Sequence, residues 1–122
     1  LAKYKKISSM SKKIKKREDM LDSIFFAISN STRRKILELL IDKDLYVNEI
    51  SKNFSSSLPT ISNHLKLLAE CRLVKKQRES QKIKYSINLK YFEETQIWLE
   101  TFGKLKLIDY ENLEIILEKL EV

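Results

Sequence analysis

The 122-residue chain contains one glycine, one proline, one cysteine and one histidine. So few glycines and prolines argue against an all-β sandwich with many turns, and against a glycine-rich phosphate loop. One cysteine and one histidine exclude a disulfide framework and a metal site made of several such residues. No apolar run approaches the roughly 18 residues of a membrane span, and no signal peptide is apparent. We therefore expect a folded cytoplasmic protein with no membrane partner.

Positive charge is concentrated in two stretches of the chain. The net charge is +7, with eight basic residues and no acid in residues 1–17, and eight basic and two acidic residues in 52–88. Residues 18–51 and 89–122 carry an excess of acid. A polyanion would be attracted to the basic stretches, although a lysine run can equally be a solubilising surface. We interpret residues 1–17 as a mobile basic N-terminal arm and residues 18–122 as one domain.

Helical periodicity begins at Glu18 and returns after a short break. Asn30, Ser31 and Thr32 are good helix N-cap residues, and the acids at positions 42–44 end the second helix. Apolar residues with helical spacing line the inner faces, at Leu21, Ile24, Phe25 and Ile28 in the first helix and at Ile36, Leu37 and Leu40 in the second.

A helix-turn-helix pattern follows. Residues 47–54 are spaced for a short helix, serines at 55–57 form a turn, and Ser57 with Pro59 starts a helix that runs to about Glu70. We expect Leu58, Ile61, Leu65 and Leu68 to face inward. The outer positions carry short donors and acceptors that fit a DNA major groove, and no acid precedes Glu70 on this face. These outer residues are Thr60, Ser62, Asn63, His64 and Lys66.

Beyond Cys71 the period changes to two, which is typical of strands. Residues 83, 85 and 87 are apolar or aromatic, and they alternate with Lys82, Lys84 and Ser86. We expect residues 73–77 to pair with this strand as a basic hairpin, or wing. Its tip at 78–81 lacks Gly and Asn, which predicts an open, flexible loop rather than a tight turn. A short extended segment is possible at 45–47.

The last third is predicted to be one long helix. Tyr91, Trp98 and Leu105 recur every seven residues, with Phe102 between them, and the pattern continues at Leu113, Ile116, Leu117 and Leu120. We interpret Gly103 as a packing notch, and residues 109–112 as a place where the helix kinks or divides. The fold class is therefore mainly α with a small β-hairpin (α+β).

Several stretches together resemble the ArsR/SmtB family of winged helix-turn-helix transcriptional repressors. They are SNSTRRKILELL, SSSLPTISNHLKLL, CRLV and KIKYSIN, and the resemblance covers residues 21 to about 100. The ending YFEETQIWLETF is similar to the branch that does not sense metals. The resemblance implies a homodimer formed by the first and last helices, which binds an inverted-repeat operator in double-stranded DNA and blocks transcription.

Three positions depart from the family pattern. Ser31 replaces a proline, Arg72 replaces the glycine before Leu-Val, and Ser80 replaces the wing glycine. Arg72 would then have to adopt a left-handed conformation at some energetic cost.

Nine residues are the candidate DNA-binding set. We expect Ser57, Thr60, Ser62, Asn63 and His64 to face base edges or nearby phosphates, and Lys66, Arg78, Lys82 and Lys84 to bind the DNA backbone. Arg33 and Arg34 could approach phosphate or serve the structure instead.

Other functions receive less support from the residues. The short helix lacks the cysteine pair of metal sensors, the last helix has no histidine, and acids such as Glu93, Glu94 and Asp109 alone are an unusual zinc site. We expect no metal, no cofactor and no small-molecule ligand, and we expect no catalysis because His64 has no evident orienting acid or nucleophile. Two alternatives stay open. One is a ligand-, metal- or redox-responsive sensor of the same family, and the other is a winged-helix protein-interaction module.

Overall fold

The computed structural model describes residues 2–103 and 110–120. Helices α1 (Ala2–Ile28) and α2 (Ser31–Asp42) precede strand β1 (Leu45–Tyr46), and the short α3 (Val47–Ser51) and longer α4 (Leu58–Glu70) follow it. Strands β2 (Val74–Glu79) and β3 (Lys82–Ile87) form the wing. A 3-10 turn (Leu89–Phe92) then leads into α5 (Glu93–Glu100), and α6 covers Tyr110–Leu120. The predicted fold class and the winged helix-turn-helix are confirmed.

The sheet has three antiparallel strands in the order β1-β3-β2, one strand more than the hairpin expected from the sequence. Leu45 pairs with Tyr85 and Tyr46 with Lys84, so β1 fixes the wing to the start of α3. The core lies where α4, α2 and the end of α1 meet this sheet. Its fully buried large side chains are Ile24, Ile36, Leu40, Ile50, Ile61, Leu65, Leu68 and Leu73.

Two helix starts follow the sequence prediction. The Asn30 side chain accepts a hydrogen bond from the Arg33 backbone N–H at 3.1 Å, which caps α2. Ser57 caps α4, and Pro59 lies in its first turn, where a missing N–H breaks no helical hydrogen bond. The predicted inward orientation of Leu58 is wrong, because this side chain is 45% exposed.

The basic N-terminal segment is helical and continuous with α1. The helix crosses the boundary between residues 17 and 18 without interruption, so this boundary is not a break in the secondary structure. Arg17 in α1 donates to Glu94 in α5 at 2.9 Å, which shows that the end of the basic segment contacts the domain. The action of residues 1–17 as an arm remains a prediction.

The wing ends in a tight turn, which corrects the prediction of an open loop. Glu79 pairs directly with Lys82, and only Ser80 and Gln81 connect the strands. Ser80 has a φ of 59°, in the left-handed region that a two-residue turn of this kind requires. Arg72 also has a positive φ, 63°, as the sequence predicted at the end of α4. At Ser80, strand pairing on both sides of the turn therefore outweighs the free-energy cost of a residue with a Cβ at positive φ.

We predict that Ser80→Gly stabilises the protein by roughly 0.5 kcal/mol. The left-handed backbone conformation costs a residue with a Cβ about 1 kcal/mol, and glycine avoids this cost. The larger conformational entropy of glycine in the unfolded chain offsets part of that stabilisation. Ser86→Gly is the control, because Ser86 lies in the extended strand β3, where glycine should destabilise by roughly 0.5–1 kcal/mol. Urea unfolding of both variants measures the difference. Equal destabilisation by the two substitutions would show that the Ser80 conformation carries no strain.

The C-terminal region is not one long helix. Helix α5 ends at Glu100, and Gly103 follows with a φ of +72° in the turn that terminates it. A Cβ on Gly103 would meet no atom of the described residues within 4 Å, so they offer no support for a packing notch, and the residue serves the turn instead. Leu105 and Asp109 lie outside the described residues. In α6, Ile115, Leu117 and Leu120 are exposed.

Candidate nucleic-acid interface

Helix α4 separates an apolar face from a polar one. Ile61, Leu65 and Leu68 are fully buried, and this fixes the rotation of the helix. Thr60, Asn63 and Lys66 are therefore exposed, as the sequence predicted, whereas Ser62 is half-buried. Side chains of this length and type can form hydrogen bonds with base edges in a major groove.

Two of the predicted DNA-binding residues, Ser57 and Thr60, are hydrogen-bonded to each other at the start of α4. The Ser57 hydroxyl oxygen accepts a hydrogen bond from the Thr60 backbone N–H at 3.4 Å and lies 2.9 Å from the Thr60 hydroxyl. Both side chains remain exposed. They hold each other in place at the start of the helix, so their remaining hydrogen-bonding capacity faces outward from a fixed position.

The arginines at the start of α2 serve the structure. Arg33 is 8% exposed and donates to the Ala27 carbonyl at 2.7 Å and to the Phe26 carbonyl at 3.1 Å. Arg34 is exposed but donates to the Ile28 carbonyl at 2.8 Å. Because α1 ends at Ile28, these bonds satisfy carbonyls in its last turn. Of the two roles considered for these arginines, the contacts support the structural one.

His64 occupies the flank of α4 that faces Arg33. Its Nδ1 lies 3.4 Å from a terminal nitrogen of the Arg33 guanidinium, and the ring is half-buried. Burial, together with the positive charge of Arg33, lowers the pKa of His64 from its ordinary value. A lowered pKa favours the neutral form of the imidazole at pH 7.

The wing presents its basic side chains on two opposite faces. Lys82 and Lys84 share one face, and the ammonium nitrogen of each lies 5.5 Å from the centre of the Tyr46 ring. Arg78 pairs with Ile83 and so belongs to the other face. The structure therefore does not bring all the predicted phosphate-binding residues of the wing together.

Tyr46 organises the lysine face of the wing, and sequence reasoning missed it. Its hydroxyl donates to the Glu79 carboxylate at 2.6 Å, and this bond raises the pKa of Tyr46. The bond holds the one acid of the hairpin against the tyrosine, while both lysines lie over the ring. Tyr46 and Glu79 are 33 residues apart, and the pairing of β3 with β1 on one side and with β2 on the other brings them together.

An open groove of about 620 Å³ separates the tip of the wing from the helix-turn-helix. Lys82 lines it together with Leu58, the first residue of α4, so the lysine face lies beside the polar helix. Lys52 and Asn48 also line the groove and were absent from the predicted set. Lys52 and Lys82 bring positive charge to this groove, which the acid Glu49 also lines, and the outer face of α4 beside it carries no acid before Glu70. Positive charge next to an acid-free helix face suits a phosphate backbone.

The described residues contain no cluster of three or more His, Cys, Asp or Glu side chains that could hold a metal ion. Cys71, at the end of α4, is partly exposed, and burial raises the pKa of its thiol. A raised pKa disfavours the reactive thiolate. In residues 2–103 and 110–120, no helix has both the length and the apolar character needed to span a membrane.

Comparisons with known proteins converge on one group. The family model for bacterial regulatory proteins of the arsR family matches residues 30–76. The transcriptional repressor SdpR of Bacillus subtilis is 37% identical over 67% of this chain and 91% of its own length. The arsenical resistance operon repressor of Staphylococcus aureus is 34% identical over 56% of this chain and 65% of its own length. A crystal structure of an ArsR family transcriptional regulator superposes with a TM-score of 0.67 at 25% identity, covering 72% of this chain and 91% of that one.

Proposed function

Because this chain belongs to the ArsR family of DNA-binding transcriptional regulators, we propose that it is a homodimeric repressor that binds an inverted-repeat operator. Members of this family are regulators and not enzymes, in agreement with the sequence analysis. The proposed site of action is the compartment that holds the DNA, which in a bacterium is the cytoplasm.

The observation that carries the proposal is the exposed face of α4. Asn63 and Lys66 project from a helix whose opposite side is fully buried, and no acid lies on α4 before Glu70. A carboxylate there would be repelled by phosphate. We assign base-edge contacts to Asn63, with Thr60, Ser62, Ser57 and His64 beside it. Backbone contacts are assigned to Lys66 and to the wing residues Arg78, Lys82 and Lys84.

Exposed apolar side chains support the assignment of a homodimer. Met10 and Ile14 on α1 and Ile97 on α5 are large apolar residues that are about half exposed or more. Helices α1 and α5 contact each other through Arg17 and Glu94 and through an edge-to-face pair of Phe25 with Trp98. Apolar surface on two adjoining helices is typical of an interface. A second copy of this chain is the proposed occupant, and two recognition helices would then enter successive major grooves about one helical turn apart.

Selection of bound sequences from a random pool of duplex DNA tests this function directly. We expect a palindromic consensus, because a two-fold symmetric dimer reads two half-sites in opposite orientation. Sedimentation of the free protein should give the mass of two chains. Failure to enrich any sequence at low salt would overturn the proposal and favour a protein-interaction module. A consensus without symmetry would overturn the dimeric arrangement.

We predict that the double substitution Lys82→Ala and Lys84→Ala weakens binding to all duplexes alike. Each lost phosphate contact reduces the slope of log affinity against log salt by about 0.9, so the loss of two lysines from each subunit of the dimer reduces it by about 3.6. Fluorescence anisotropy with operator and scrambled duplexes at several salt concentrations measures both effects. Lys90→Ala is the control, since Lys90 is exposed on the 3-10 turn before α5. A salt slope that stays at the wild-type value would refute the assignment of the wing lysines.

A further inference from the structure

The guanidinium of Arg33 is held in one orientation by several independent contacts. It donates to the Ala27 carbonyl at 2.7 Å and to the Phe26 carbonyl at 3.1 Å, and its carbon lies 5.4 Å from the centre of the Phe26 ring. The remaining terminal nitrogen lies 3.4 Å from Nδ1 of His64. A planar group with this many constraints has little freedom to rotate, so the orientation of this nitrogen toward α4 is set by the end of α1.

The chemistry of the pair determines the position of the imidazole proton. A guanidinium has five N–H donors and no acceptor, and it stays protonated in proteins. Nδ1 of His64 must therefore accept this hydrogen bond, and the neutral ring then carries its proton on Nε2. Among the described residues, none is hydrogen-bonded to Nε2.

We propose that Arg33 is a positioning residue that fixes His64 as the Nε2–H tautomer, so that the recognition helix α4 presents a hydrogen-bond donor to an acceptor atom on duplex DNA. The acceptor is a phosphate oxygen or an acceptor atom on a base edge in the major groove, such as guanine N7 or O6, and both kinds take an N–H donor. The DNA partner rests on the function proposed above, whereas the tautomer is a property of the free protein.

The surroundings of His64 favour a neutral donor over a charged imidazolium. Protonation of Nδ1 would place an N–H opposite an N–H of Arg33, and two positive charges would face each other across 3.4 Å. Arg33 itself cannot move away without breaking its hydrogen bonds to the Ala27 and Phe26 carbonyls, although the Phe26 carbonyl also accepts from Ser29. The pair therefore presents a donor without adding a second positive charge at this position of the helix.

The tautomer is directly measurable because the chain has only one histidine. In the free protein labelled with ¹⁵N, the imidazole nitrogen signals belong to His64 alone. We expect the chemical shift of Nδ1 to be that of an unprotonated acceptor nitrogen and the shift of Nε2 to be that of a protonated one. In Arg33→Met, which keeps an apolar stem and removes all donors, we expect both shifts to move toward a mixture of tautomers. A proton on Nδ1 in the wild-type protein would overturn the inference, whether or not the Met variant folds.

Two substitutions of His64 test the donor on DNA. The amide nitrogen of His64→Gln lies the same number of bonds from Cβ as Nε2, whereas that of His64→Asn corresponds to Nδ1. We expect the Gln variant to bind the selected operator within about threefold of wild type. The Asn variant should bind on the order of tenfold more weakly for each half-site, the loss of one hydrogen bond to a charged or polar acceptor in each subunit. Equal binding by the Asn variant and wild type would overturn the role of the donor.

The binding data distinguish a phosphate acceptor from an acceptor on a base, and they distinguish failure of the proposed function from failure of the inference about His64. A loss in the Asn variant that is equal on operator and scrambled duplexes identifies a phosphate oxygen, and a loss confined to the operator identifies an acceptor on a base edge. If the wild-type protein binds no duplex, the proposed function fails, while the NMR result still decides the inference about Arg33 and His64.

Discussion

Asn63→Ala is expected to weaken operator binding by about 1–3 kcal/mol for each half-site, or roughly 5- to 150-fold per half-site, while leaving binding to random DNA almost unchanged. Asn63 is exposed on α4, and an amide can form two hydrogen bonds with the N6 and N7 edge of an adenine. Non-specific binding depends on phosphate contacts that the substitution does not touch. The measurement is the ratio of affinities for the operator and for a scrambled duplex at one salt concentration.

Gln96→Ala provides the matched control for this substitution. Gln96 also carries an exposed amide on a helix, but it lies on α5 and donates to Glu100 of its own helix at 3.2 Å. The control should therefore leave both affinities at the wild-type value. If Asn63→Ala kept the wild-type affinity ratio, Asn63 would not read a base.

Leu65→Ala is expected to lower the free energy of unfolding by about 2–5 kcal/mol. Leu65 is 0% exposed on the buried face of α4, so its removal costs burial energy and leaves a cavity that the surroundings fill only partly. For a chain of this size the melting temperature should fall by on the order of 10 °C. Loosened packing beneath α4 should also weaken DNA binding, since the exposed side chains depend on the rotation of this helix.

Leu58→Ala is the control for this substitution, because it makes the same change of residue type on the same helix at an exposed position. Its side chain is 45% exposed, so the same change in residue type should cost less than about 1 kcal/mol. Thermal or urea unfolding of the two variants gives the comparison. If Leu58→Ala and Leu65→Ala lowered the free energy of unfolding equally, Leu58 would have to be buried in solution. A second chain, or closure of the groove between the wing and α4, would be the simplest explanation.

The features that the sequence predicted well are local ones. The caps at Asn30 and Ser57 depend on residues three positions apart, and the structure contains both. The extent of α4 follows from a helical period that the buried residues obey. The prediction failed at Leu58 because a first-turn residue lies at the edge of the buried stripe, where the period alone does not decide exposure.

Turn conformations were predicted less well, because a glycine-poor sequence was taken to mean open turns. Ser80 adopts a positive φ without being glycine, since pairing from Val74–Ile87 to Glu79–Lys82 fixes the ends of the turn. Gly103, in contrast, was assigned to packing, although its φ of +72° ends a helix. In both cases the neighbouring elements, and not the residue alone, select the conformation.

The contacts missed by sequence reasoning join distant parts of the chain. Tyr46 and Glu79 meet because β1 and β2 both pair with β3, and Arg33 meets His64 through the packing of α2 on α4. No local pattern encodes such pairs, because they depend on how the elements assemble. The resemblance to the ArsR/SmtB family gave the order of elements but not these side-chain contacts. Assignment of the nine DNA-binding residues is still a prediction that binding measurements must test.

The aromatic cluster between α1 and α5 gives the protein an intrinsic optical reporter. Trp98 is the sole tryptophan of the chain, and it packs edge-to-face against Phe25 at 5.4 Å and Phe102 at 5.0 Å between ring centres. Phe102 is 62% exposed, so the outer side of the cluster is accessible to water in the isolated chain. Ultraviolet emission from the indole would shift to shorter wavelength when another surface covers this side, and dilution could then follow subunit assembly without any added dye.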